Sequence, residues 1–552
     1  MMRRVLSVLL VAWLAAPAAG RAAPPPPADV DRALADLATE GGERREAAVT
    51  ALGRTGDPRW LEFLAALRDG HVYARVTGGT VELFVAGDRS GQGAQEVIEL
   101  RAPHDGAARG RAPASSLVEV TADRRLRIAI KPFLDADETR RQLADPDPGV
   151  RRGAAIKLGN QADARAAGLI ETALATESDR WVRHALAEAL AVIRLAGEEP
   201  GIRVEAARAL GALHSTAALP SLRALAGDRS APAALRTAAS EAVRRIERWA
   251  MLTTVVETAF QGASLASILL LMALGLAVVF GLMGVINMAH GELMALGAYA
   301  TFVVQNIFRA AWPGALDYYF AVALPVSFLV TAAVGVALER GVVRRLYGRP
   351  LETLLLTWGA SLVIQQGLRL WFGAANVDVA SPRWLSGGLP VMAGLTLPYN
   401  RLFIIGLAAG AVAATYWVLF RTRAGLRIRA VTQNRGMASC LGVRAGWVDA
   451  GTFAAGAGLA GLAGCALTQV GNVGPSLGQN YIVDSFMVVV SGGVGKLAGT
   501  IVAAAGIGGL NKGIEPALGA VFAKVAILVA VILFLQRRPA GLFAPRGRHA
   551  EG

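Results

Sequence analysis

The sequence predicts a mainly α protein: a polytopic transmembrane helical bundle of about eight or nine spans, some broken, preceded by a soluble, repeat-like α-helical domain with a small β insert. Three observations predict it. Charged residues crowd the first 250 positions, whereas long uncharged apolar runs fill the rest. The chain of 552 residues is 54% hydrophobic with a mean hydropathy of +0.43, high for a wholly soluble protein. A short motif, Ala-x-x-x-Leu-Gly, recurs in the charged part, and Leu186 to Leu190 and Ala238 to Ala242 follow its second and third copies by 32 residues, a spacing that suits stacked helix pairs.

The formal charge of +14 suits a phosphate-bearing partner in principle. Much of its C-terminal share, however, sits in short loops between apolar runs, where membrane topology accounts for it. No zinc spacing or basic-aromatic stripe accompanies the charge, so nucleic acid is not expected as a partner. The two cysteines, Cys440 and Cys465, lie in the hydrophobic half without ligand partners at metal spacing. Redox and metal chemistry are set aside on that ground.

Residues 1–23 read as a secretory signal peptide. Arg3 and Arg4 form its basic start, 5–15 its apolar core and 16–23 a stretch of small residues for cleavage. The core is shorter than the ~20 residues that span a bilayer. The segment beyond the cleavage region is therefore expected outside the cytoplasm. After a stiff run of prolines at 24–27, residues 24–250 are expected to form an extracytoplasmic HEAT-like domain. The motif occurs at 48–53, 154–159 and 206–211, each time after arginines (Arg44 and Arg45, Arg151 and Arg152, Arg203). Residues 71–131 interrupt it: 72–76, 81–85 and 126–130 alternate at period two between glycine-rich turns and predict a strand-containing insert. His71, His104, His184 and His214 are scattered and read as surface or packing residues.

The transmembrane domain is expected over 251–540, with 541–552 as a cytoplasmic tail. Residues 259–289 carry no charged side chain, and a helix in lipid satisfies its own backbone. Further apolar segments lie near 285–306, 318–339, 351–372, 402–420, 448–470, 482–494, 498–512 and 519–536. Arginines sort the loops. Arg340, Arg344, Arg345 and Arg349 share one, Arg421, Arg423, Arg427, Arg429, Arg435 and Arg444 another, and Arg537, Arg538, Arg546 and Arg548 close the chain, while 373–400 carries only Arg383. The positive-inside rule faces the first three inward and 373–400 outward. Nine spans starting outside and ending inside fit each assignment.

Two glycine-rich runs imitate nucleotide motifs. Residues 456–464 contain Gly-x-Gly-x-x-Gly, but inside an apolar span, where small residues let helices approach. The run Gly492-Gly493-Val494-Gly495-Lys496 lacks the first glycine and the Ser or Thr of a phosphate loop. Any ATP must be handled by another chain.

The stretch Gly281-Leu282-Met283-Gly284-Val285-Ile286-Asn287-Met288-Ala289-His290-Gly291-Glu292 resembles the hallmark of the branched-chain amino acid permease family. So do the run from Gly425 to Gly442, Gly492-Gly493-x-Gly495 with Gly499, and the ending Arg538-Pro539-x-Gly541-Leu542-Phe543. The likeness covers about 255–545. Within the family the chain is most similar to the urea permease branch, on Asp317-Tyr318-Tyr319, Glu339-Arg340-Gly341-Val342, 347–355, 430–435 and 481–490; Lys496-Leu497-Ala498 departs from that branch's Asn-Leu-Trp. An exported N-terminal extension resembles it too.

The resemblance implies a permease subunit of an ABC importer, multi-pass in the bacterial inner membrane with its N-terminal domain periplasmic. Its implied cargo is urea or a similar small amide, with branched-chain amino acids as the alternative and a passive channel or ion-coupled transporter as a more distant reading. It implies no cofactor and no catalytic residue in this chain. The implied partners are ATP-binding ATPase subunits, a related permease subunit, an extracytoplasmic solute-binding protein and membrane lipid. The ATPase-coupling loop is expected at 421–446, on Gly425, Arg427, Arg429, Ala430, Asn434, Met437, Ala438 and Gly442, with Leu426, Ile428 and Leu441 helping to seat a short helix in the partner. Polar groups inside apolar spans are costly unless paired or water-lining. That singles out Asn287, His290, Gly291 and Glu292 at a broken helix, with Gln365, Gln366, Asn472, Gln479, Asn480 and Asp484 secondary. A plain His290–Glu292 pair holding the break is the simpler alternative. Amide and carboxylate acceptors suit the four N–H groups of urea, yet the residues alone do not separate urea from an amino acid.

Overall fold

The computed structural model describes residues 28–38, 42–77, 80–90 and 97–543. The signal expected at 1–23 and residues 544–552 of the tail lie outside them. The chain divides into two compact units, Met1–Leu213 with Arg229–Ala238 and His214–Asp228 with Ala239–Gly552.

In the first unit, α1 (Ala28–Leu37), α2 (Gly42–Arg54) and α3 (Pro58–Arg68) precede a five-stranded antiparallel sheet. Its strands are β1 (Val72–Thr77), β2 (Thr80–Ser90), β3 (Val97–Arg101), β4 (Ala108–Pro113) and β5 (Val118–Glu119), in the order β4-β3-β2-β1-β5. Alternation places Tyr73, Phe84, Ile98, Leu100 and Ala112 in one small core. The helices resume with α4 (Arg124–Leu143), α5 (Pro148–Gln161), α6 (Ala167–Thr176), α7 (Arg180–Leu195) and α8 (Pro200–Leu213).

The strand expected at 126–130 is a helix instead. The Asp123 side chain caps it by accepting from Leu126 N at 2.8 Å, and Leu126 and Ile130, four residues apart, are buried while Ile128 is exposed. Period two and period four coincide over so short a run, and the cap decides between them. The sheet therefore ends at Glu119 rather than near 131.

The repeated motif has a packing role. Ala48, Leu52 and Gly53, then Ala154, Leu158 and Gly159, then Ala206, Leu210 and Gly211 are all buried. A Cβ on Gly159 would lie 3.0 Å from Ala189 Cα, so glycine lets α5 lie against α7. The preceding arginines tie neighbouring turns: Arg151 pairs with Glu177 at 2.8 Å, and Arg203 donates to Leu195 O. The Arg151 guanidinium holds the Glu177 carboxyl below its usual range.

The second unit holds α9 (Leu219–Gly227) and residues 239–283 of α10 (Ala233–Met283). It continues with α11 (His290–Ala311), α12 (Tyr319–Gly341), α13 (Pro350–Phe372) and the hairpin β6 (Gly388–Met392) and β7 (Leu395–Pro398). Next come α14 (Tyr399–Arg421), α15 (Arg423–Gln433), α16 (Arg435–Cys440), α17 (Ala445–Leu467), α18 (Leu477–Gly492), α19 (Leu497–Leu518) and α20 (Ala520–Arg537). Each expected apolar segment is matched by one of α10 to α14 or α17 to α20. Among the described residues, six helices are long and apolar enough to cross a membrane: Ala233–Met283, Pro313–Gly341, Tyr399–Arg421, Ala445–Leu467, Leu497–Leu518 and Ala520–Arg537. The other three are α11 and α13, which carry buried polar residues, and α18, which has 16 residues.

Glycine sets how closely these helices cross. In lipid, association depends on van der Waals contact and close backbone approach. A Cβ on Gly275 would strike Gly456 O, one on Gly297 would strike Gly461, and one on Gly464 would strike Met294 O. The run at 456–464 thus places its glycines against α10, α11 and α12, with Gly458 over the Phe328 ring.

The two ends of this unit are tied by different loops. At one end, Val377 and Val473 exchange backbone hydrogen bonds, Asn400 Nδ2 donates to Gln469 O, and Trp249 Nε1 donates to Ala393 O at 2.9 Å. At the other, Thr432 donates to Leu282 O, Gly281 meets Gly495, and Leu542 N donates to Ser491 O at 2.8 Å. The latter contacts gather the four separated glycine-bearing motifs into one place.

Candidate functional site

α10 ends at Met283, and Gly284, at φ +69°, turns the chain back. Residues 284–289 then re-enter the bundle before α11 begins at His290. How deep they go is fixed by one contact: His290 Nε2 lies 3.1 Å from Met272 O, which makes Nε2 the donor. Met272 lies about 16 Å up α10 from Met283 at 1.5 Å per residue, and the hydrocarbon core is ~30 Å thick. The re-entrant segment therefore climbs about three turns of α10 back into the bundle.

The break is held by α13. Met288 N donates to Thr357 Oγ1 at 3.1 Å, and Thr357 Oγ1 donates to Ile286 O at 3.3 Å. Ser361 Oγ donates to Glu292 Oε1 at 3.3 Å. Asn287 turns inward and accepts from Ala289 N. His290 and Glu292 do not pair with each other in these contacts, so the simple pairing alternative gives way to two separate partners. Gly291 fits because a Cβ there would lie 2.5 Å from Gly478 O of α18.

Thr353, Thr357, Ser361 and Gln365 lie four residues apart and are all buried. They form a polar ladder along the face of α13 that meets the break. Of the four, only Gln365 stands out in the sequence as an expected path residue. The other three are readable there only as a four-residue polar period inside an apolar helix, a signal that single hydroxyl residues hide. Arg369, one step further, is exposed.

Several polar groups around the break are unsatisfied. Asn287 Nδ2, His290 Nδ1 and Glu292 Oε2 have no hydrogen-bond partner among the described residues, although Asn287, His290 and Glu292 are at most 1% exposed. Tyr299 OH, further along α11, has none among them either. Each such group costs about 1–3 kcal/mol. A cavity of about 10 Å³ touches Asn287 and Thr357, too small for a solute. The bundle is closed here.

The other expected residues do not join this cluster. Gln366, Asn472, Gln479 and Asn480 are exposed, and Asp484 pairs with Lys524 at 3.2 Å.

The loop at 421–446 folds as two short helices. Thr422 caps α15 by accepting from Gly425 N, and a Cβ on Gly425 would strike the carbonyls of Val418 and Leu419, so glycine permits the sharp corner. Asn434 caps α16 by accepting from Met437 N at 2.9 Å, and Gly442, at φ +85°, closes the turn. Ala438 packs inward with Val431 and Ala445. Ala430 is half-buried, whereas Arg427, Arg429, Leu426, Met437 and Leu441 are exposed.

Arg435 fastens this loop to the bundle. Its Nη2 donates to Asp449 Oδ2 of α17 at 2.5 Å, and its guanidinium lies 4.8 Å from the Tyr347 ring centroid. Tyr347 OH donates to Glu339 Oε1 of α12 at 3.1 Å. Burial, with the Asp449 and Glu339 carboxylates beside it, pushes the Tyr347 hydroxyl well above its ordinary value. Arg340 stacks on Trp447 at 4.0 Å. These contacts tie α16 to α12 and α17.

A family model described as "Branched-chain amino acid transport system / permease component" matches residues 258–536, which hold both the break and the loop. A PBS lyase HEAT-like repeat model matches 44–69 and 202–228. The high-affinity branched-chain amino acid transport system permease protein BraD of Pseudomonas aeruginosa is 29% identical over 292 residues, 51% of this chain and 93% of the relative. The corresponding protein LivH of Escherichia coli is 30% identical over 296 residues, again 51% and 93%. The ribose import permease protein RbsC of Escherichia coli is 28% identical over 274 residues, 48% and 79%.

Gly291→Val forces α11 off α18. Overpacking of this kind costs about 1–3 kcal/mol, so the variant should melt earlier in detergent than Gly436→Val, whose site meets only Asn434 Oδ1, at 3.6 Å. Equal melting of the two would refute the packing role.

Proposed function

The chain belongs to the branched-chain amino acid transport system permease component family, and from that premise we propose that it conducts urea, or a similarly small amide, inward as part of an ATP-driven importer. The observation that carries this reading is the buried ladder Thr353, Thr357, Ser361 and Gln365 facing the Asn287–Glu292 break. A solute with four N–H donors and one carbonyl needs several neutral acceptors and a few donors to replace its water. Hydroxyl and amide groups in sequence along one helix supply them. The unsatisfied polar atoms of Asn287, His290 and Glu292 mark where a passing solute gains most. The likeness of 347–355, 430–435 and 481–490 to urea permeases points the same way.

A second reading keeps branched-chain amino acids as cargo. The names of the relatives favour it, and Arg369 at the end of the ladder offers a cation for a carboxylate. The complex reconstituted with its ATPase subunits and solute-binding protein separates the two. Labelled urea should accumulate only with ATP, and leucine should not. Leucine-only accumulation supports the second reading, and ATP-independent urea flux overturns the importer.

Force enters through α15 and α16. Their exposed Leu426, Met437 and Leu441 offer apolar contacts to an ATPase subunit, and the arginines a charged rim. Arg435→Ala should leave ATP hydrolysis by the assembled complex in place while solute moved per ATP falls about 10-fold, the range of ordinary coupling energies. Unchanged stoichiometry would remove Arg435 from the transmission.

This places α15 and α16 on the cytoplasmic side. The end that carries Trp249 and 373–400 then faces out, and the HEAT-like unit before it is periplasmic. Cys440 on α16 is exposed and Cys465 buried, so the native chain carries its own reporter. A membrane-impermeant maleimide should label inside-out vesicles and spare intact spheroplasts. The reverse pattern would invert the topology.

A further inference from the structure

A cleft lies behind α14. Its larger part is a cavity of about 940 Å³, walled by α10, α12, α14, α15 and α17 and reaching inward to Val278 and Phe328. A second cavity, of about 600 Å³, continues it along α14 and shares Ala411, Ala414 and Leu462. Gly406 and Gly410 line the continuation, and a Cβ on either would meet nothing within 4 Å. From Phe403 to Val418 the cleft follows α14 for about 22 Å at 1.5 Å per residue. One leaflet of hydrocarbon is ~15 Å deep.

The wall is apolar, but the mouth is not. Arg427 and Arg444 line the larger cavity, and no acidic residue does. Trp447 stands at the same mouth, 64% exposed, and Tyr416 and Trp417 lie exposed on the last turns of α14. Tyr and Trp at this level mark the membrane–water interface. An apolar cleft long enough to cross one leaflet, ending in two guanidinium groups that have no acidic partner among the described residues, suits an amphiphile with a negative head. Basic pockets between spans on the cytoplasmic side bind such head groups.

We propose that this cleft is a binding site for one anionic phospholipid, its phosphate on Arg427 and Arg444 and an acyl chain along Ala411, Ala414 and Leu462. Five elements of one chain enclose the cleft, which suits a slim flexible chain better than a helix about 10 Å across. Because Arg427 lies on α15 and Arg444 follows α16, the lipid braces the loop that receives force. The site rests on the reading that this loop faces the cytoplasm.

Native mass spectrometry of the full chain in its complex, with dioleoyl-phosphatidylglycerol or dioleoyl-phosphatidylcholine added, tests the site. Two basic side chains near the surface should favour the anionic lipid about 30-fold. Arg427→Ala combined with Arg444→Ala should abolish that preference. Gly410→Leu, which fills the open cleft, should reduce retention with both arginines in place, and inorganic phosphate should not displace the lipid. Equal retention of both lipids, unchanged preference in the double variant, displacement by phosphate, or cross-linking of position 410 to a second permease chain would each overturn it. Lipid retention requires neither ATP nor solute. Lost uptake with intact preference therefore counts against the importer alone, and intact uptake without preference against the lipid site alone.

Discussion

Close crossing of glycine-bearing helices around α11 governs the membrane unit. Lipid tails are as apolar as leucine, so burying an apolar side chain between two helices yields little there. What remains is contact between backbones, and that contact requires the absence of a Cβ where Gly297 meets Gly461, Gly291 meets Gly478 and Gly464 meets Met294. With those crossings in place, α11 is walled in over most of its length, and His290 and Glu292 are carried into the interior. The glycines and the buried polar groups are two sides of one arrangement.

That arrangement makes the helix break possible. A backbone leaving helical form inside a membrane bundle exposes donors and acceptors that hydrocarbon cannot satisfy. Here Thr357 bonds both Met288 N and Ile286 O, while His290 binds the Met272 carbonyl. On the function proposed above, the same ladder that holds the break would also give a small polar solute a series of partners, so that one set of hydroxyl groups on α13 would serve both roles.

The loop at 421–446 is organised on a different principle. Its outer surface is basic with exposed apolar residues, and its inner side is tied by ionic and aromatic contacts through Arg435, Asp449, Tyr347 and Glu339. Such ties are directional, unlike apolar packing, and suit a part that moves as a body. In the first unit Gly53 and Gly159 allow helix approach as glycines do in the membrane unit, but there apolar burial supplies the driving force.

Much of this architecture is legible in the chain. Hydropathy locates every long helix of the second unit, because the medium that accepts a backbone depends on some twenty neighbouring side chains and on nothing distant. The motif at 281–292 points to Asn287, His290 and Glu292, since polar residues in an apolar run are conspicuous. Residues 126–130 mislead as a strand because a short run fits two periods and a single cap, Asp123, decides between them. Thr353, Thr357 and Ser361 escape a reading of the sequence because a hydroxyl in a membrane helix commonly bonds its own backbone, and which of them faces another chain segment depends on where α13 crosses the break. Local composition determined which stretches are helical and apolar. Only tertiary structure decided which polar groups meet, because that depends on crossings between segments some seventy residues apart, as in Ser361 and Glu292.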